Sequence, residues 1–392
     1  MRILHTSDWH LGRTLHGVDL LEHQAAFVDH LVDLVAARAV DVVVVAGDVY
    51  DRAVPSVPSV RLLGSALRRL SELAVVVVTP GNHDSAARLG FAAELMRPGL
   101  HVLAGVDRLD EPVVVDDAHG PVAFYGLPYL DPDTVRHALA PDGADGPLAR
   151  SHEAVVGAAL DRVRADLATR PGTRSVVVAH AFVAGGAVVE RSESERDIRV
   201  GGVDVVPSAV FDGVDYVALG HLHGAQRVGA AAGSHPVLRY SGSPLAFSFG
   251  EVGHVKSTAV VDLAADGTVE VELVAAPVPR RLAEVTDTLE HLLDGRHDDL
   301  VDAWLRVSVT DPVHPDHLWA RVRERFPHAL AVLHTPVGAV DSPRLRVVTA
   351  ETDPVEVAAD FVAFASGAPA SDAELAVVRA AYEAARASEG SE

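Results

Sequence analysis

The sequence predicts an α/β protein: two stacked mixed β-sheets flanked by helices, followed by a small α/β capping domain. Three observations predict it. Short β-branched apolar runs alternate with amphipathic segments early in the chain. From residue 237 to residue 274 strand patterns follow one another with no helix between them. Ala276, Pro277, Val278 and Pro279 then form a stiff linker, after which helix and strand patterns alternate again.

Taken in order, Ile3, Leu4, His5 and Thr6 read as a first buried strand. Residues 22–39 have the apolar spacing of an amphipathic helix and lead into a strand at 42–46. Residues 58–73 form the next crossover helix, ahead of a strand at 75–78, and residues 85–96 the one after it. Residues 112–116 and 121–125 make a hairpin closed by His119 and Gly120. The polar stretch 131–146 is a loop with one short helix. A helix over 153–169 precedes the strand 175–179, and 216–219 is the strand after that. Strands at 237–240, 258–263 and 268–273 follow, the last after an Asp266, Gly267 turn. Beyond the linker, 287–293, 303–309, 315–326, 329–334 and 345–348 continue the alternation. The end, 371–388, is an Ala-rich helix opened by the capping box from Ser371 to Glu374. Along it Leu375, Val378, Ala381 and Tyr382 share one face. The expected domains are therefore 1–276, 280–350 and a C-terminal helical region, 351–392, offering a surface for a partner.

Composition narrows the function. A chain of 392 residues exceeds what one core normally organises, and 48% hydrophobic content with mean hydropathy +0.19 is that of a well-packed globular protein. No apolar run approaches the ~18 residues of a membrane span, and Asp8 interrupts any signal-peptide core, so a cytoplasmic protein with no membrane partner is expected. Cysteine is absent, which leaves nitrogen and oxygen as the available metal ligands. The net charge of −22 argues against a broadly basic nucleic-acid surface but allows a local cationic groove.

The chemistry lies in five clusters, each directly after an apolar run: Asp8, Trp9 and His10; Gly47, Asp48 and Asp51; Gly81, Asn82, His83 and Asp84; His180; and Gly220, His221, Leu222 and His223. Singly, each has a plain reading. Asp after a strand is a common turn residue, Gly-Asp and Gly-Asn are ordinary turns, and His180 suits a satisfied core histidine. His221 and His223 would share one face of a strand, or stand solvated in a loop. Jointly the plain readings fail, because all five clusters would have to follow their own strands by accident. Parallel α/β sheets gather ligand-binding groups at the carboxyl ends of their strands. This many N and O donors exceeds the need of one ion and suits a metal pair sharing a carboxylate, the arrangement for in-line displacement at phosphorus. His5, His16, His23, His30 and His101 have no such context and are assigned nothing.

The clusters resemble the calcineurin-like metallophosphoesterase superfamily, whose pattern runs D-x-H, G-D-x-x-D, G-N-H-[DE], H and G-H-x-H. More narrowly the chain resembles the SbcD family of nuclease subunits. That likeness rests on the stretch from Ile3 through Leu11 and Gly12, on Glu195 to Gly202, on Asp215 to His223, and on Tyr240, Ser241, Gly242, Ser243, Pro244 and Leu245 followed by Ser248 to Glu251 and Lys256. It covers roughly residues 1–280; beyond them only position and pattern match.

The resemblance implies roles. Asp48 is the bridging carboxylate; Asp8, His10 and His223 complete one metal site, and Asn82, His180 and His221 the other. Two Mn²⁺ ions are the implied cofactors, since mixed imidazole and oxygen shells suit Mn²⁺ better than Mg²⁺. His83 is the catalytic histidine over the phosphate, and Asp51 the carboxylate that orients it. Asp84 is a hydrogen-bond partner behind the ligands or, equally, a helix N-cap. Arg52, following Asp51, is a candidate phosphate contact or a plain surface arginine. The implied function is a DNA exonuclease and endonuclease acting on double-strand ends and hairpins. The implied setting is a homodimer with an SbcC-type coiled-coil ATPase, in DNA repair and recombination. The Asp-Arg pair keeps open a metallophosphatase or small-substrate phosphodiesterase.

Overall fold

The computed structural model describes residues 1–141, 143–185, 192–195, 205–229, 236–337, 354–366 and 370–389. Two six-stranded sheets dominate. The first runs, edge to edge, Val269–Ala275, Ser257–Leu263, Arg2–Thr6, Val42–Ala46, Val75–Thr79 and Leu100–Val102. Its last four strands are parallel, and Ser257–Leu263 lies antiparallel to both of its neighbours. The second runs Gln226–Val228, Val237–Tyr240, Tyr216–Gly220, Arg174–His180, Gly120–Leu127 and Val113–Asp117. Four parallel strands again form its middle, with one antiparallel strand at each edge.

Alternation along the strands explains the stacking. Ile3, Val42, Val44, Ala46 and Val77 of the first sheet share one buried cluster with Phe124, Val176, Val178, Tyr216 and Ala218 of the second. The intervening residues face helices. Leu4, Val43, Val45, Val76 and Val78 pack with Phe27, Leu31, Leu63 and Leu70. Those four lie on the helices Leu21–Arg38 and Val57–Leu70. Tyr125, Val177, Ala179 and Leu219 pack with Val155, Ala159, Leu160 and Val163 of the helix His152–Leu167. Both faces of each sheet are thus covered, which is why the strands read as continuous apolar runs.

Helix ends follow local chemistry. Ser56 and Ser151 cap their helices through side-chain oxygens, and Ala39 closes the first helix in the left-handed conformation. The helix expected over 85–96 is broken. Only Ala86–Leu89 is α-helical, Gly90 ends it, Ala92 turns left-handed, and a 3₁₀ turn covers Ala93–Leu95. The strands Leu100–Val102, Gln226–Val228 and Leu282–Asp287 have no counterpart in the sequence pattern. The strand expected at 345–348 lies outside the described residues.

Contacts divide the chain into two compact units. The first contains Met1–Val285, Asp298–Arg306 and Phe326–Ala331, and the second Thr286–His297, Val307–Arg325 and Val332–Glu392. A three-stranded sheet is ordered Leu282–Asp287, Trp304–Val309, Ala329–His334. The second unit carries the helices Leu289–Leu293, Leu318–Arg325, Pro354–Ser366 and Asp372–Glu389. The last opens on a closed capping box, in which the Ser371 hydroxyl and amide donate to Glu374 Oε2 at 2.7 and 2.8 Å. Among the described residues no helix is long and apolar enough to cross a membrane.

Candidate metal centre

The strands Arg2–Thr6, Val42–Ala46 and Val75–Thr79 of one sheet end beside Arg174–His180 and Tyr216–Gly220 of the other. Their ends turn sharply. Asp8, His10, Asp48 and His221 all hold positive φ, at 53°, 44°, 48° and 112°. Four non-glycine residues in this region at one site mark backbone strain held by its surroundings. Gly47 is needed here twice over: its φ is 81°, and a Cβ would strike the His180 ring.

Side chains from all five clusters converge. Oxygen and nitrogen atoms of Asp8, His10 and His223 lie within 4.8 Å of one another, as do those of Asp8, Asp48 and His180, and those of His10, Asp48 and His83. His10 Nε2 faces His223 Nε2 at 3.2 Å. His180 Nε2 and His221 Nδ1 approach Asn82 Oδ1 at 2.9 and 3.3 Å. Asp48 Oδ2 stands between the two sets, 3.7 Å from His10 Nε2 and 3.4 Å from His180 Nε2. Asp8, His10, Asp48, His180, His221 and His223 are all buried. His221 and His223 follow the strand end rather than lying on it, and neither is solvated.

These groups fit a pair of divalent ions. Buried ring nitrogens aimed at one another, with carboxylate and amide oxygens between them, have the donor set of a metal site. Electrostatics agree. Burial raises Asp8 to about 7. Burial alone would also raise Asp48, but His180 and His10 outweigh it and hold the carboxyl well below its usual range. Burial pushes His180 down less than Asp48 and Asp8 push it up, so it reaches about 9. Burial lowers His10 and His223. Asp48 thus stands where positive charge stabilises its carboxylate, as bound cations would.

The remaining expected residues fall around this centre. The His83 amide donates to Asp48 Oδ1 at 2.8 Å, and its Nδ1 donates to a carbonyl, Asp51 O, also at 2.8 Å. The oriented histidine is therefore held by the backbone of Asp51, not by its carboxylate as expected. That carboxylate faces His10 Nδ1 at 3.8 Å and Arg13 Nη1 at 3.5 Å. Asp84 accepts from the amides of Gly81, Val49 and Tyr50 at 2.9, 3.0 and 2.9 Å, tying two of the turns together. It is no helix cap; Ser85 caps the helix that follows. Burial and the nearby Asp48 raise Asp84 to about 7. The Arg52 side chain is 85% exposed, yet it lines a cavity of about 270 Å³ with Gly12, Arg13, Thr14, Asp51 and His83. A larger cavity, about 1010 Å³, is lined by residues drawn from the stretch between Gly90 and Glu111 and by Gly126, and touches none of these groups.

Sequence reasoning missed a layer behind the ligands. Arg13 stacks on the Phe247 ring at 5.0 Å. Ser194, Glu251 and Lys256 form a buried cluster behind His223. Glu251 and Lys256 stand in the stretch that carried the family resemblance, but no spacing rule gives them a role. His5, assigned nothing, is a satisfied core histidine bonded to Tyr216 Oη at 2.9 Å and Leu219 O at 3.2 Å, and burial drops it to about 3. Of the outer stretch from Glu195 to Gly202, residues 196–202 lie outside the described residues.

Two family models match the chain. A family model described as calcineurin-like phosphoesterase covers residues 1–225. A second, described as the type 5 capsule protein repressor C-terminal domain (SbcD_C), covers residues 276–365. The two matches in this order support an SbcD-type nuclease. Among solved structures, the protein TT1561 of Thermus thermophilus is 15% identical, with 69% of this chain and 98% of that one covered at TM-score 0.40. A novel archaeal phosphodiesterase is 11% identical, with 70% and 100% covered at TM-score 0.27. The family model spans more than half of the chain and includes every strand end that supplies a candidate ligand. The chain belongs to the calcineurin-like phosphoesterase family and is a metal-dependent phosphoesterase.

Proposed function

We propose that this phosphoesterase is a Mn²⁺-dependent DNA exo- and endonuclease subunit, cleaving phosphodiester bonds at double-strand ends and hairpins with an SbcC-type coiled-coil ATPase. The observation that carries the metal chemistry is Asp48 Oδ2, placed between the His10 and His180 ring nitrogens. The match of residues 276–365 to a domain of SbcD type supports the choice of DNA as substrate. In this reading residues 1–276 are the nuclease domain, 280–350 the capping domain and 351–392 the partner-binding region.

Asp8, His10 and His223 would hold one ion, Asn82, His180 and His221 the other, with Asp48 shared between them. The ions, when bound, would supply Lewis acidity and an activated water for attack at phosphorus. The chain's own residues do the rest. Asp84 fixes the turns that carry Asp48 and Asn82. His83 lines the cavity with its Nδ1 committed to Asp51 O, leaving Nε2 for the leaving oxygen of the scissile phosphate. Arg52 meets the phosphate from the cavity's open side.

The test is incubation with Mn²⁺ and linear DNA, with and without the ATPase, beside a nitrophenyl phosphodiester. DNA cleavage that Asp48→Ala abolishes is expected, and metal analysis should find two ions in the wild type and fewer in the variant. Hydrolysis of nitrophenyl esters with intact DNA would favour the small-substrate reading, to which Arg52 in the cavity beside His83 lends support. Removing residues 371–392 should leave Mn²⁺-dependent cleavage of simple substrates intact and abolish co-purification with the ATPase. Undiminished co-purification would place the partner surface elsewhere.

A further inference from the structure

The two candidate metal positions are backed differently. His180 Nδ1 donates to a neutral acceptor, Ala46 O, at 3.0 Å. His223 Nδ1 instead faces the Glu251 carboxylate, Oε1 at 3.2 Å, with the Ser194 hydroxyl at 2.7 Å. Glu251 and Lys256 are 1% and 5% exposed, so this carboxylate lies inside the protein.

Its second oxygen is held by Lys256 Nζ, and Ser194 Oγ donates to the first. Lys256 also donates to Ser243 Oγ at 3.0 Å and to the carbonyl of His223 itself at 3.1 Å. The His223 amide donates to Glu195 Oε1 at 2.9 Å. One residue is therefore gripped at its amide, its carbonyl and its ring. A buried carboxylate with a dedicated ammonium partner is costly to bury, and a histidine needing only to pack would not require it. A carboxylate on one ring nitrogen fixes the proton there, turns the other nitrogen towards the metal and makes it a stronger donor.

We propose that Glu251, held by Lys256 and Ser194, is a positioning residue that locks His223 with Nε2 towards the metal and raises ion affinity at the Asp8, His10, His223 position above that at the other. The proposal rests on the two-metal reading of the site but not on the identity of the substrate. It makes the two ions unequal: the position backed by Glu251 fills first, and loss of the carboxylate weakens that position alone.

The experiment is Mn²⁺ titration of the full chain, followed by calorimetry and by the loss of free-Mn²⁺ paramagnetic resonance signal. Wild type should bind two ions in two resolved steps. Glu251→Gln should weaken the tighter step about 10–100-fold and leave the other step in place. Because Glu251→Gln strands the Lys256 charge, the double variant Glu251→Gln with Lys256→Met is measured beside it, and thermal unfolding shows that it is folded. Excess Mn²⁺ should restore nitrophenyl phosphodiester hydrolysis in both variants, as a positioning role requires and a misfolded site does not. Unchanged affinity at both steps, or equal loss at both, in a folded variant would overturn the proposal. Fewer than two ions on wild type would instead overturn the two-metal reading, and the proposal with it.

Discussion

At the scale of single residues, the proposed division of labour is clearest within the pair Asn82 and His83. Asn82 turns its amide oxygen towards His180 and His221, while the His83 ring is tied to Asp51 O at the edge of the cavity. His83→Ala should therefore retain two ions by metal analysis and lose roughly 10²–10⁴-fold in cleavage rate, the usual worth of one acid–base or charge-stabilising group. Loss of an ion would instead make His83 a ligand of the group it forms with His10 and Asp48. The converging residues were legible in the sequence because each follows an apolar run that fixes where it must stand. The grip on His83 was not, because a backbone carbonyl has no letter of its own. Nor was Glu251, 28 positions from His223 and joined to it only through the fold.

At the scale of elements, strand identity was legible wherever a run of four or more β-branched residues was buried on both faces, as at Val42–Ala46. Runs of three, such as Leu100–Val102, are too short for a period to show, and the pairing with Val75–Thr79 makes them strands. The failure at 85–96 has a backbone cause, since Gly90 and a left-handed Ala92 interrupt a segment of good helix formers. Where the two sheets meet at the site, spacing is tighter than any side chain allows. A Cβ on Gly220 would run into Ala46 O and the His180 ring. Gly220→Ala should cost about 1–3 kcal/mol of stability, the usual penalty of overpacking, and weaken Mn²⁺ binding by displacing His180. Denaturant unfolding with and without Mn²⁺ checks both; a variant as stable as wild type would show that the sheets can part at no cost.

At the scale of the whole molecule, a half-buried ion cluster ties four stretches of the first unit that are distant in sequence. Asp117 takes the Met1 amino group at 2.8 Å and Arg174 Nη2 at 2.6 Å, and Arg174 also reaches Leu263 O at 3.3 Å. The hydrogen bond from Arg174 and the amino group hold the Asp117 carboxyl far below its ordinary 3.8. A depressed folded value means that the contribution is complete above 3.8 and is lost as pH falls through the lower folded value. Unfolding stability should thus decline below about pH 4, and Asp117→Asn should lower stability at pH 7 while making the acid decline shallower. Equal acid sensitivity in both proteins would remove Asp117 from that role. The net charge of −22 bears on the same scale: it makes any DNA contact a local matter of the site and its rim.

The place of the first strand has a consequence for how the molecule is made. Arg2–Thr6 pairs on one side with Val42–Ala46, which leaves the ribosome soon after it, and on the other with Ser257–Leu263, which leaves some two hundred residues later. At ~5–20 residues per second the nascent sheet waits on the order of 10–40 s with an apolar edge unpaired. During that interval the edge is open to other nascent chains, and chaperone cover over the growing polypeptide matters most. A chain cut short before Ser257 could not close its first sheet, however complete its ligand set.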